Sequence, residues 1–227
     1  HTWTDSYPYS CISIFAIHPQ YADLRALPEL EDEEARREAE AERSQLNALP
    51  QIDYEKVNAF KSGYLRKVFQ QEGKKIMKSA EFKAFFQETQ SWLVPYAQYS
   101  WLRDEYGTAD FTQWKDHNTW NEDDRAMLSD SRTKEYQEVA FYYFVQYVLS
   151  SQMKAAHEYA KQKGVILKGD IPIGVNRYSC DVWMEPKYFN LNGQAGAPPD
   201  DFSVNGQNWG FPTYNWDEML KDGCKWW

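Results

Sequence analysis

Helix breakers are almost missing from the middle of this chain. Between residues 29 and 163 of the 227 there are only three glycines and two prolines, Gly63, Gly73, Gly107, Pro50 and Pro95. That scarcity excludes a strand-and-turn architecture there and predicts helices. Eight of the eleven glycines and five of the ten prolines stand from Gly164 onward, so residues 164–227 are expected to be strand, turn and loop.

Cysteine is scarce too. Cys11, Cys180 and Cys224 are odd in number and far apart, which excludes a disulfide framework or a zinc box and fits a reducing cytoplasm. The four histidines, His1, His18, His117 and His157, show no ligand spacing. His157-Glu158 opens like a zinc-protease HExxH, but the second histidine's place is taken by Lys161, so no metal is expected. No GxGxxG, GxxxxGK[ST] or GxSxG run is present, which leaves nucleotide cofactors and serine-hydrolase chemistry without support. The expectation is no cofactor. No apolar run approaches the roughly 18 residues of a membrane helix, and no charged-then-apolar leader opens the chain. Positive charge is in deficit, with 25 Lys plus Arg against 34 Asp plus Glu and a net charge of -9. Neither nucleic acid nor an anionic membrane surface is an expected partner, because both require a basic patch. The chain begins at His1 and not at Met, and it reads as a processed product or an internal segment.

What is abundant is aromatic: ten Trp, sixteen Tyr and twelve Phe make 17% of the residues. Rings in such number form either a large aromatic core or a surface that stacks on the C–H faces of sugars. Spacing assigns most of them to the core. A charged, Ala-rich run over 31–43 places acids before arginines, as a helix dipole prefers, and reads as a solvated helix. A second helix is expected from Asp53 to about Gln71, with Val57, Phe60, Tyr64, Leu65 and Val68 on one stripe. A third begins near Ser79 and carries Phe82, Phe85, Phe86, Trp92, Leu93, Tyr96 and Tyr99, with Pro95 expected to kink or split it. The strongest helix spans about Ser131 to Lys163. Its middle, Val139 to Leu149, is apolar almost all round and should be buried, with Gly164 as the stop.

After that stop, Val165 to Ile173 is β-rich and predicts a short buried strand. Helix, glycine and buried strand make half of a β/α unit, which points to a parallel sheet or barrel. One such strand cannot close a barrel of eight, so the expected fold class is α/β: a partial (β/α)8 TIM-barrel segment with a large, mainly α-helical insert. In barrels the chemistry sits on loops after the strands. Here that region holds Asp170, Asn176, Arg177 and Asp181, then Gly196-Ala-Pro-Pro-Asp-Asp-Phe-Ser203, then Gly206-Gln-Asn-Trp-Gly-Phe-Pro-Thr-Tyr214. Carboxylates and amides alternating with flat rings are what sugar recognition requires.

These runs resemble a known family. Gly169-Asp-Ile-Pro-Ile-Gly-Val, Asp181-Val-Trp183, Gly196-Ala-Pro-Pro-Asp and Gly206-Gln-Asn-Trp-Gly210 are similar to motifs of the 4-α-glucanotransferases, or amylomaltases, of glycoside hydrolase family 77. Tyr7-Pro-Tyr-Ser, followed by Ile14-Phe-Ala16 and Pro19, looks like that family's motif after an earlier barrel strand. The wording is nearest to the cytosolic, plant-type disproportionating enzymes with a long helical insert, over 5–21 and about 139–221. The resemblance implies residues 1–28 as a barrel loop segment, 29–130 as the helical insert, and 131–227 as barrel helix, strand and substrate-binding loops. It implies glucan contacts at Tyr9, Asp170, Asn176, Arg177, Asp200, Phe202, Gln207 and Trp209. Tyr178 and Asn176 depart from it, standing where bacterial and plant-type relatives respectively tend to have Asp. The family's nucleophile lies in an Arg-x-Asp-His run, and none occurs here. The chain is therefore expected to be an internal fragment of a retaining glucan transferase, without the catalytic carboxylates. Its expected partners are an α-1,4-glucan or maltooligosaccharide and the remainder of the parent chain. A non-catalytic glucan-binding module and a helical protein-interaction module are the alternatives.

Overall fold

The computed structural model describes residues 9–227. Tyr7 and Pro8 of the N-terminal motif lie outside the described residues. Five longer helices come first: α1 (Glu33–Asn47), α2 (Tyr54–Ile76), α3 (Ala80–Tyr106), α4 (Glu122–Leu128) and α5 (Lys134–Gln162). Two short helices follow, α6 (Cys180–Met184) and α7 (Trp216–Lys221). Each opens on a side chain that accepts a free amide of its first turn: Asp32, Asp53, Ser79, Asn121, Thr133, Ser179 and Asn215. Such caps each stabilise a helix by roughly 1 kcal/mol. Gly107 and Gly164, both at positive φ (67° and 72°), stand just past α3 and α5.

The breaker-poor half is helical, as its composition predicts. Pro95 lies inside α3, yet the helix runs unbroken past it. The ring removes only one intrahelical donor, while Leu93, Val94, Tyr96 and Ala97 around it are all buried. Packing outweighs the lost bond. α3 and α5 form the largest helix pair, joined by edge-to-face rings: Phe82 on Tyr147 at 5.4 Å and Phe86 on Tyr143 at 5.2 Å between centroids. From Val139 to Leu149 every side chain but Tyr147 is buried, so the apolar middle of α5 is the centre of the core. A second cluster gathers Tyr99, Trp114, Trp183, Ile12 and Cys180. A third, with Val175, Tyr188, Phe189, Tyr214 and Met219, lies under the C-terminal loops.

The stretch 17–31 is not a strand: it winds through two 3-10 turns, Pro19–Tyr21 and Leu24–Ala26, and glutamine amides satisfy the backbone between and beyond them. Gln146, Gln152 and Gln71 each accept one backbone N–H and donate to one backbone C=O, at Ile17, at Asp23, and at Glu31 with Glu29. A side-chain amide carries the same donor and acceptor as a peptide group, so it can pair with an extended chain as a strand would.

The buried strand expected over 165–173 is not formed. Residues 165–173 have no ladder partner among the described residues, and the stretch lies in water, Ile166 being 91% exposed. A parallel strand is stable only between neighbouring strands. The β-rich composition is there without them. The described ladders are both antiparallel and two residues deep: β1 (Phe189–Asn190) with β4 (Thr213–Tyr214), and β2 (Gly196–Ala197) with β3 (Gln207–Asn208).

Candidate functional site

Two loops meet at the site, and the first is a tie between distant parts of the chain. Five consecutive residues, 10–14, each bond to 176–181. Asn176 Nδ2 donates to Ser10 Oγ at 3.0 Å, and the Asn176 amide donates to Cys11 O at 2.9 Å. The Cys180 amide donates to Ile12 O at 2.8 Å. Ser13 Oγ donates to Asp181 Oδ1 at 3.2 Å, and the Ile14 amide to Asp181 Oδ2 at 2.8 Å. Tyr9 is the next residue outward and is 44% exposed. Asn176 thus stands beside the segment that carries Tyr9, and its Oδ1 also accepts the Tyr178 amide at 2.8 Å.

Asp181 is the buried member of this tie. Burial pushes its carboxyl up to about 7, against the Ile14 and Ser13 hydrogen bonds that pull it down. Cys11, beside it, is pushed up to about 11, first by burial and then by the Asp181 charge. Burial also raises the Cys180 thiol well above its ordinary value. Neither thiol is a nucleophile near neutral pH.

The second loop is the β2–β3 hairpin. The Trp209 amide donates to Ala195 O at 2.9 Å and the Ala195 amide to Phe211 O at 2.8 Å, which extends the pairing past the ladder. At the tip, Asp200 Oδ1 accepts the amides of Phe202 and Ser203 at 2.9 and 2.8 Å, a turn built by its own side chain. That turn holds Phe202 outward, 95% exposed. Gly206 at φ +73° turns the chain back, and a β-carbon there would collide with Ala197 O. Trp209 is 43% exposed. Its Nε1 donates to Gln207 Oε1 at 3.0 Å, and its ring lies 5.9 Å from that of Phe211.

Three contacts join the loops. Arg177 donates to the carbonyls of Leu191 and Gly193, ahead of the hairpin. The Phe211 ring covers Gly174 so closely that a β-carbon there would collide with it. Tyr214 OH donates to Pro172 O at 3.0 Å. The structure therefore brings Asn176 onto Ser10, the chain neighbour of Tyr9, pairs Gln207 with Trp209, and sets Asp200 with Phe202 on one turn. Arg177 links the two groups through backbone. Asp170 stands apart on the exposed 165–173 stretch, its carboxylate accepting the Ile171 amide at 2.9 Å. Ser10, Ser13 and the structural part played by Asp181 and Asn176 escaped sequence reasoning, because the tie joins residues more than 160 positions apart. Among the described residues no group of three His, Cys, Asp or Glu is placed to hold a metal ion.

Chemically, the arrangement offers half-exposed rings beside amide and carboxylate groups, over a backbone locked by hydrogen bonds. Comparison with known proteins gives this a class. An amylomaltase from Streptococcus agalactiae, solved in complex with acarbose, matches with a TM-score of 0.77 and 25% identity over 97% of this chain and 45% of that one. The Corynebacterium glutamicum amylomaltase shares the fold with a TM-score of 0.74. The fold is that found in amylomaltases. The chain belongs to the 4-alpha-glucanotransferase family, glycoside hydrolase family 77, whose model matches residues 1–227. The rice (Oryza sativa subsp. japonica) 4-alpha-glucanotransferase DPE2 is 44% identical over 225 residues, 99% of this chain and 24% of the rice protein. The Chlamydia muridarum 4-alpha-glucanotransferase is 32% identical over 227 residues, all of this chain and 42% of its own length. The chain thus spans from about a quarter to somewhat under half of the length of these relatives. No helix among the described residues is long and apolar enough to cross a membrane.

Proposed function

We propose that this chain is the glucan-gripping part of a cytoplasmic 4-α-glucanotransferase that moves α-1,4-glucan segments between maltooligosaccharides with retention. In this reading residues 1–28 and 131–227 belong to a (β/α)8 barrel and 29–130 form a helical insert on it. The 165–173 stretch is then a barrel strand whose neighbours come from the rest of the enzyme, which accounts for apolar side chains in water. Tyr9, Asp170 and Asn176 face the sugar at the cleavage site, Arg177 fixes the 191–193 loop, and Asp200, Phe202, Gln207 and Trp209 close over the chain of glucose units.

The observation that carries the reading is Trp209. A half-exposed indole, held by Gln207 and backed by Phe211, is a platform shaped for the C–H face of a hexose. Phe202, at the hairpin tip, supplies a second ring that excludes water from the reacting bond, which favours transfer over hydrolysis. Retaining transfer needs two carboxyl groups about 5–5.5 Å apart, one as nucleophile and one as acid and base. Asp181 is buried under residues 13–14, while Asp170 and Asp200 each accept amides of their own turn. The catalytic pair is assigned to the remainder of the enzyme.

The test is incubation of the 227-residue chain with maltotriose and separation of the products by thin-layer chromatography. No glucose and no longer oligosaccharides are expected. Activity that copurifies with the chain and disappears in Asp170→Asn or Asp200→Asn would overturn the assignment and place a self-contained active site here.

A further inference from the structure

We propose that Asp181 is a positioning residue for Tyr9: its carboxylate locks the Ser13–Ile14 turn onto α6 and thereby sets where the Tyr9 ring stands. The proposal rests on the reading of Tyr9 as a sugar-facing ring. Ser13 Oγ accepts the Phe15 amide at 3.2 Å, so its own hydrogen is left for Asp181 Oδ1. The Ile14 amide takes Asp181 Oδ2. The group at position 181 must therefore accept once at each oxygen, which Asp181 does in the ionised form it carries above about pH 7. Asn has one acceptor; its amide either faces the Ile14 N–H or strands the Ser13 hydroxyl hydrogen.

Place in the chain makes this bond pair matter. The other three links of the tie, at Ser10, Cys11 and Ile12, involve Asn176 and Cys180, and of the groups on the 176–181 side Asp181 is the one anchor that holds the far end of the segment. Asp181 is 3% exposed and makes no ion pair among the described residues, so water cannot stand in for a lost bond. Released at 13–14, the segment keeps its links at 10–12 and at Ile17, but the turn between them loses both of its side-chain bonds and can shift the run of residues that ends at Tyr9. Shape, not charge contact with sugar, is what Asp181 supplies.

The test reads Tyr9 directly and reads binding separately. The chain is labelled with fluorotyrosine, and the Tyr9 19F resonance is assigned by its disappearance in Tyr9→Phe. Asp181→Ala and Ser13→Ala are expected to shift or broaden that resonance while circular dichroism shows an intact helical fold. Maltoheptaose affinity, followed by NMR titration, should fall by a factor of about 3–10 in Asp181→Ala and by no further factor when Tyr9→Ala is already present. Where Asp181→Ala fails to fold, Asp181→Asn takes its place in both measurements. An unmoved Tyr9 resonance in the folded variants, or affinity losses that simply add, would overturn the proposal. Absence of maltoheptaose binding in the unmodified chain would count against the sugar-binding reading instead, and the resonance would still decide the positioning.

Discussion

The side-chain amide of Gln146 pairs with the backbone of Ile17 in both directions: Ile17 N–H donates to Oε1 at 3.0 Å, and Nε2 donates to Ile17 O at 2.8 Å. Gln146 sits on the most buried face of α5, and Ile17 belongs to the stretch that leads away from Tyr9. One polar residue in an apolar helix thus seats the segment that begins the candidate site.

Replacing that amide should be costly. Gln146→Leu keeps the volume but leaves a half-buried N–H and C=O of Ile17 unpaired, for a loss of about 1–3 kcal/mol. Gln152 makes the same pair with Asp23 at 2.8 and 2.9 Å, but in water. Gln152→Leu should lose less than about 1 kcal/mol, since solvent replaces both bonds. Urea unfolding of the two variants measures the difference.

Stability should depend on pH through two groups of opposite sign, one buried and one half-buried. Burial raises the Asp181 carboxyl from 3.8 to about 7. The folded chain therefore holds a proton that the unfolded chain has released, and this contribution is full below the unfolded value and lost as pH rises through about 7. Cys11, Cys180, Tyr99 and Tyr214 also feel the Asp181 charge, all of them with values raised first by burial and so neutral over this range. His18 runs the other way. Burial, with Arg103 adding to it, lowers His18 from 6.5 to about 4, so its contribution is present above 6.5 and lost as pH falls toward 4. The advantage in melting temperature of the unmodified chain over Asp181→Asn should shrink as pH rises from 5 to 8. Its advantage over His18→Gln should grow as pH rises from 4 to 6.5. Thermal melts across that range show whether both slopes have these signs.

The hairpin should be separable from the core. A β-carbon at Gly196 would collide with the carbonyl of Gln207 across the ladder, so Gly196→Ala forces β2 and β3 apart. Because the hairpin tip is exposed, the melting temperature should change little while amide exchange at Gln207 and Trp209 accelerates. A large drop in melting temperature instead would mean that the hairpin is part of the cooperative core.

Hydrogen exchange should also rank the helices. Residues 139–149 of α5, buried on nearly every face, are expected to exchange slowest, at the global unfolding free energy. α1, where only Ala35 is buried, should exchange orders of magnitude faster.

What the sequence disclosed follows from the range of the interactions involved. Helices α1, α2, α3 and α5 were legible because breaker scarcity and side-chain period are local properties, and Ser79 and Gly164 mark their ends within a residue or two. Pro95 did not split α3, since the local rule was outweighed by packing it could not see. The Val165–Ile173 run has the composition of a strand, but a strand is a property of neighbours, and none is present among the described residues. At the site, Gln207, Trp209 and Asp200 were legible as motif residues. The tie from Ser10–Ile14 to Asn176–Asp181 was not, because no pattern in either segment names its partner 167 positions away.

The most direct measurement is a titration of tryptophan fluorescence with maltoheptaose, in the unmodified chain and in Trp209→Ala. Stacking of a glucose unit on Trp209 predicts a saturable change with a dissociation constant no tighter than about 1 mM, or about -4 kcal/mol, because only part of the groove is present. In Trp209→Ala that change should vanish while the melting temperature stays where it was. An identical titration in the variant, or no response in the unmodified chain, would contradict the claim that these loops grip the glucan.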